Sequence, residues 1–322
     1  MVLLRSLARR VRTRSMAQMT SLRSIGVMFG SSLILFSVAS AGSQRPPASP
    51  TMTAGEAWGR IQKLYLPTPL PDTVDTLKAG DPATHVTGIA TTFLATMDVL
   101  REAVRRGDNL VISHEPTFYN HRDETKELVG DPVYQQKLAY IAQHHLVIYR
   151  LHDAIHADPG GDHILQGLYT ALGWETYSHP PSLLGASLVG IPATTLGELA
   201  RSLEVKLQIQ TLRVEGDSAM KVTHVAVLPG AAGREKQIRA LNAPGVDVLL
   251  VGEASEWETV EYVRDAVSQG RKKALILLGH EVSEEPGMEQ DAKELRLLFP
   301  GLRVDHLTAG QPLRSPRNLL KK

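Results

Sequence analysis

Residues 86–116 read VTGIATTFLATMDVLREAVRRGDNLVISHEP. An apolar run through Ile89 and Phe93 gives way to a stretch in which Val99, Leu100, Ala103 and Val104 recur at helical spacing, ending at Gly107, a residue suited to a left-handed helix C-cap. A second apolar run, NLVIS, then stops abruptly at His114-Glu115-Pro116. Strand, helix and strand with short connections make a βα unit. The same order continues along the chain in HLVIYRLHD (145–153), KVTHVAVLPG (221–230), VDVLLVGEA (246–254) and ALILLGHE (274–281). Near-continuous apolar runs imply strands covered on both faces, hence an α/β fold with a parallel or mixed sheet.

Residues 256–269 continue the pattern, with Trp257, Val260, Val263 and Val267 on one expected helical face before Gly270. Residues 185–216, GASLVGIPATTLGELARSLEVKLQIQTLRVEG, differ: a helix capped by Thr195, then alternating strand-like pieces. We therefore expect a main metal-binding domain of residues 55–184 plus 243–310, a smaller inserted lobe at 185–242, and a loose basic tail at 311–322.

The 322 residues include no Cys, which excludes disulfides, thiolate catalysis and Cys-ligated metals. Any metal site must use His, Asp and Glu, and 12 His are available. The formal net charge of +1 hides an uneven distribution. Residues 1–41 hold six Arg and no acid, followed by the 15-residue run IGVMFGSSLILFSVA and Ala39-Ser40-Ala41. That order is expected of a secretory signal cleaved after Ala41. An uncleaved membrane anchor is the rival, but the run falls short of the ~20 residues needed to span a bilayer. Subtracting those six Arg from 35 basic residues leaves 29 against 34 acidic ones, a net of −5. A mildly acidic mature chain argues against nucleic-acid binding. Residues 42–54 read as a Pro/Ser-rich tether.

Chemistry gathers at the ends of the apolar runs: His114-Glu115, His152-Asp153 with His156 beyond, Gly252-Glu253, and Gly279-His280 with Glu284 four residues on. In α/β sheets ligands bind outside the carboxyl ends of the strands, so these groups are expected to converge on one nitrogen- and oxygen-ligated metal site suiting Zn, Mn, Fe or Co. Each part has a plainer reading. A lone strand-end His is usually a hydrogen-bonded loop residue. Glu284 follows Ser283, which is placed to cap a helix at 284–298, so its carboxylate could simply complement that helix's dipole. Pro159-Gly160-Gly161 argue that His156 lies in a loop. His144, His145 and His179 read as solvent-facing, and His85 and His306 as isolated. His121-Arg122-Asp123-Glu124 reads equally as a salt-bridged surface turn or a basic wall, and Asp162-His163 could approach the site.

These blocks resemble the Nif-three-like family, also called dinuclear-metal-centre hexameric proteins or GTP cyclohydrolase I type 2 homologues. The opening stretch ends where that family has His-His-Pro. HDAIHADPGG is similar to its second block, VDVLLVGEASEWETVEYV to its Thr-Gly-Glu block and LLGHEVSEEPGMEQDAKEL to its closing Gly-His-Tyr-Ala-Thr-Glu block, all in order between about 55 and 310. The resemblance implies a mixed-sheet Nif-three-like fold with two divalent ions held by His114, Glu115, His156, His280 and Glu284, with His152 as a further ligand or an orienting group. Two positions depart from the pattern: Glu115 replaces the second His and His156 replaces an Asp, a swap that conserves the ligand types. Glu281 stands where the family has Tyr. The implied chemistry is metal-dependent hydrolysis of a small phosphoester or amide-type substrate, with Glu253 as general base or orienting group. A non-catalytic metal-handling or scaffold protein is the alternative. A homohexamer is also implied.

Overall fold

The computed structural model describes residues 52–177 and 186–316. The expected signal, most of the tether, His179 and the end of the tail lie outside the described residues. The tether expectation ran slightly too far, because Thr53 already caps helix α1 (Ala54–Tyr65) through a capping box with Glu56.

Two five-stranded mixed sheets carry the fold. The first pairs β2 (Ile89–Thr92), β3 (Leu110–Ser113) and β4 (Val147–Arg150) in parallel. The short β10 (Val304–His306) runs parallel on one edge, and β1 (Leu77–Ala79) antiparallel on the other. The second pairs β7 (Lys221–Leu228), β8 (Val248–Val251) and β9 (Ala274–Leu277) in parallel, flanked by antiparallel β5 (Ser187–Thr195) and β6 (Arg213–Glu215). All six apolar runs thus contain a strand, and β2, β3, β4, β8 and β9 are buried at every residue.

That burial follows from helices on both faces. On one face of the first sheet, α1 and the long α9 (His280–Leu298) pack Trp58, Ile61, Met288 and Leu295 against Ile89, Leu110 and Ile112. On the other, α2 (Met97–Arg106) and α3 (Pro132–Gln143) pack Leu100 and Ile141 against Val111 and Ile148. The second sheet is enclosed likewise by α5 (His163–Leu172) and α6 (Leu196–Lys206) on one side, and α7 (Arg234–Leu241) and α8 (Glu261–Ser268) on the other. Gly107 caps α2 at φ 80°, as expected.

Three expectations need correction. The boundaries 185–242 and 243–310 do not separate sheets, because β7 hydrogen-bonds β8 and β8 bonds β9; residues 187–277 share one sheet. Residues 256–269 do not form one regular helix: a π-helical turn, Glu256–Val260, precedes α8. The wider turn shifts the phase, so Trp257 is 79% exposed while Val263 is buried. Finally, α9 begins at His280 rather than at Glu284. Ser283 therefore sits inside the helix, where its hydroxyl accepts the Gly230 N–H at 2.9 Å and donates to the His280 carbonyl.

One further contact places α9. Gly167 in α5 and Gly287 in α9 meet backbone to backbone: a Cβ on Gly167 would lie 2.4 Å from the Pro286 carbonyl, and one on Gly287 would lie 2.6 Å from Ile164 Cα. Only glycine permits that approach.

Candidate metal centre

The carboxyl ends of the parallel strands in both sheets open onto one cavity of about 1560 Å³. From the first sheet, β3 runs into His114-Glu115, and β4 runs into His152 and the single helical turn α4 (Asp153–His156). The expected loop at His156 is thus a helical turn, held by a feature the sequence reading passed over. Asp75, 4% exposed, accepts the backbone N–H groups of His152, Asp153 and Ala154 at 2.6, 3.0 and 2.7 Å. From the second sheet, β8 runs into Gly252-Glu253, β7 into Pro229-Gly230, and β9 into α9. Because α9 starts at His280, His280 and Glu284 stand one turn apart on one face.

Six side chains converge. Glu284 Oε2 lies 3.4 Å from His114 Nε2 and 3.1 Å from His280 Nε2. Glu115 Oε1 lies 3.6 Å from His152 Nε2 and 3.5 Å from His280 Nε2. Ligand atoms of His114, His152 and His156 fall within 4.8 Å of one another, as do those of His114, Glu115 and Glu284. The rings are tightly placed: His114 stacks on His152 with centroids 4.7 Å apart, and His156 stands edge-on to both at 5.1 Å.

Three of the four imidazoles are oriented through their other nitrogen. His114 Nδ1 faces the Leu151 carbonyl at 3.0 Å, His152 Nδ1 faces Asp153 at 2.9 Å, and His156 Nδ1 faces Asp162 at 2.9 Å. Asp162 therefore does approach the site, as expected, while His163 pairs with Asp158. Such acceptors fix the tautomer that leaves Nε2 free for a metal. Glu253 is more loosely placed, 56% exposed and 3.7 Å from His280 Nδ1. Buried Arg150 pins Glu115 at 3.1 Å and donates to the His114 carbonyl. Glycines keep the space open: Gly230, at φ 65°, would project a Cβ 2.1 Å from Glu284 Oε1.

The electrostatics show what is wanted. Burial opposes a charged His280, yet Glu115, Glu253 and Glu284 outweigh it and push its pKa up to about 12. Burial likewise opposes charge on His114, but Glu284 and Glu115 raise its pKa above the ordinary value. Burial would raise Glu284, but His114 and His280 hold it far below the usual carboxylate range. Burial, and then the His114 charge, lower His152 to about 4. The buried carboxylates thus favour positive charge beside them. His114 Nε2 and Glu284 Oε2 are nevertheless both buried without a hydrogen-bond partner. Unpartnered lone-pair atoms aimed at each other, with imidazole and carboxylate donors around them, fit a divalent cation.

The remaining His divide as follows. His121 lines the cavity wall, while Arg122 pairs with Asp72 on the surface and Asp123 forms a buried ion pair with Lys78, so this segment is part wall and part surface turn. His306 is not isolated, since its Nε2 lies 3.0 Å from Glu285. Glu281 is buried, and burial followed by the Glu285 charge raises its pKa to about 7. Among the described residues no helix is long and apolar enough to cross a membrane.

The comparisons with known proteins agree with this architecture. The GTP cyclohydrolase 1 type 2 homolog of Clostridium acetobutylicum is 26% identical over 227 residues, which span 68% of this chain and 80% of that protein. A Bacillus cereus protein related to NIF3 superposes with a TM-score of 0.68 at 17% identity, covering 83% of this chain and all of the other. A Staphylococcus aureus hypothetical protein superposes at 0.67 with 19% identity, covering 82% and 99%. At that identity they establish the fold. Residues 61–310 match the family Duf34/NIF3 (NGG1p interacting factor 3), and the chain belongs to that family.

Proposed function

We propose that this protein binds two divalent metal ions through His114, Glu115, His152, His156, His280 and Glu284, and hydrolyses a small phosphoester or amide-type substrate. The observation that carries this reading is the convergence of four imidazoles, three of them oriented, and two carboxylates on a cavity, with His114 Nε2 and Glu284 Oε2 buried without a hydrogen-bond partner. Such ions, when bound, would lower the pKa of a coordinated water and neutralise charge on an attacked phosphoryl or carbonyl group.

The chain's own residues do the rest. Arg150 and the Leu151 carbonyl hold Glu115 and His114 in place. Asp153 and Asp162 hold the His152 and His156 rings. Glu253, at the cavity mouth, is placed to take a proton from a nucleophile or to orient His280. The cavity admits small or flexible molecules, and its wall carries the basic Lys236 and Arg314 beside Arg213, which pairs with Glu256.

Elemental analysis of protein expressed from residue 42 tests the centre. Wild type should carry near two ions per chain, with loss in Glu115→Ala and His156→Ala. One ion or none, unchanged in both variants, would overturn it. A screen of phosphoesters and amides with Glu253→Gln as comparison tests turnover. A two-ion protein that cleaves nothing would favour metal handling. The basic-then-apolar order of residues 1–41 supports export, checked by N-terminal mass analysis of the mature protein. The family resemblance supports a homo-oligomer, checked by light scattering.

A further inference from the structure

One wall of the cavity takes no part in the cluster of imidazoles and carboxylates. Every residue of Gln311–Pro316 lines the cavity, and residues 311–315 belong to no helix or strand. Pro312, Leu313, Arg314 and Pro316 are at the same time exposed, Leu313 by 72%. A segment that lines a cavity and also meets solvent is a rim, with no core holding it in place. It lies just past residues 61–310, the part of the chain that matches the family.

The segment is fixed at its start by a pivot and a clip. The Ala309 N–H donates to the buried Glu285 carboxylate at 2.9 Å and holds the chain at the end of the first sheet. Gly310 follows at φ 79°, and a Cβ there would meet nothing within 4 Å, so this point is both permissive in backbone and uncrowded. Gln311 then reaches across to the turn after α6. Its Nε2 donates to the Gln208 carbonyl at 2.9 Å, and its Oε1 accepts the Gln210 N–H at 2.8 Å. Gln208 itself sits at φ 53°, a left-handed conformation that a residue with a side chain adopts at a cost. Residues 210–213, which continue from that turn, line the cavity as well. Both clip bonds are exposed, so water competes for them and the clip is reversible. Pro312 and Pro316 lack an N–H and cannot extend the clip into a strand pairing.

We propose that residues 310–316 are a hinged strap, pivoting at Gly310 and latched by Gln311, that selects which molecules enter the cavity by size. Latched, the strap completes the wall with residues 210–213 and holds back bulky molecules while small ones pass. Unlatched, it swings from Gly310 and opens that wall. The inference concerns access alone and stands apart from what the centre holds or whether it turns over a substrate.

The chain has no Cys, so a single introduced thiol reports on access. Leu212 is half-buried, lines the cavity and lies two residues from the latch contact at Gln210, whereas Ser268 on α8 is exposed and lies outside the cavity wall. Full-length Leu212→Cys and Ser268→Cys proteins are labelled in chelator with iodoacetamide and with a maleimide carrying a long polyethylene glycol chain. Adding Gln311→Ala, or ending the chain after Gly310, should each raise the rate of the bulky reagent at Leu212→Cys by about tenfold, the worth of two exposed hydrogen bonds. The iodoacetamide rate there should stay nearly unchanged, as should both rates at Ser268→Cys. A bulky-reagent rate that neither change alters would overturn the strap. A rise in the shortened chain alone would overturn Gln311 as its latch, and a parallel rise at Ser268→Cys would overturn gating in favour of general loosening.

Discussion

Replacing Gly230 by alanine alters no ligand and no charge, yet it should disable the centre. Its φ of 65° lies in the left-handed region, so any Cβ costs about 1–2 kcal/mol in the backbone. The larger effect is local. The new methyl would sit 2.1 Å from Glu284 Oε1, 2.9 Å from Glu284 Cδ and 3.1 Å from His280 Nε2. An ordinary contact needs more than 1 Å of retreat from the Glu284 carboxylate. That side chain is buried beside His114 and cannot swing to solvent. Displacing a ligand's support by such an amount costs roughly 10–100-fold in metal affinity. Gly233 is the strain control: at φ 82° and ψ 153° it occupies backbone essentially reserved for glycine, but a Cβ there meets nothing within 4 Å. Gly233→Ala should bear a backbone cost at least as large, seen as a lower melting temperature in chelator, and keep its metal. Isothermal titration of the two variants with Zn²⁺ separates strain from intrusion. Wild-type affinity in Gly230→Ala, or an equal loss in Gly233→Ala, would refute the reasoning.

Four other outcomes follow from the same geometry. Asp75→Ala removes the carboxylate that accepts three N–H groups at the start of the His152–His156 turn, and should cost about 1–3 kcal/mol in urea unfolding together with metal affinity. Asp75→Asn should recover part of both. Gly167→Ala forces the α5 and α9 backbones apart and should cost roughly 1–3 kcal/mol or more, with loss of metal even where the fold survives. Asp291 is fully buried beside the Tyr65 hydroxyl, and burial pushes its pKa up to about 7. The folded state then holds a proton that the unfolded state has released, so stability falls as pH rises from about 4 through about 7, by at most about 4 kcal/mol. Asp291→Asn should become steadily more favourable relative to wild type between pH 5 and pH 8, and a pH-independent difference in chemical denaturation would contradict this. Removing metal with a chelator should lower stability by about 2.7 kcal/mol relative to protein held at a hundred times its dissociation constant, as calorimetry would read.

Much of this was legible in the chain. Apolar runs that end in His or Glu named the strands and placed those side chains at their carboxyl ends, because strands buried on both faces leave no alternation to confuse the reading. What the sequence could not show depended on partners distant along the chain. β1 and β10 are three-residue edge strands, too short for any pattern to emerge. The pairing of β7 with β8 is a fact of hydrogen bonding that composition does not encode, and it moved the expected lobe boundary. Ser283 looked like a cap because Ser followed by Glu commonly is one. Instead its hydroxyl is used by Gly230 from another strand end, and the helix starts a turn earlier. Asp75 carried no local signal, since its three hydrogen bonds reach residues 152–154. Trp257 fitted a regular helical face and was displaced by one wide turn.

Because α9 supplies both His280 and Glu284 and lodges against α5 at a glycine crossing, the centre cannot exist in any chain that stops short of it. A nascent or truncated polypeptide ending before Gly279 carries the imidazoles of residues 114–156 without the helix that faces them. On the proposed reading, full loading of the centre is therefore a late event in the life of each molecule, because it waits for the residues from His280 onward to dock. The full complement of ions, rather than any one of them, would sort finished molecules from unfinished ones.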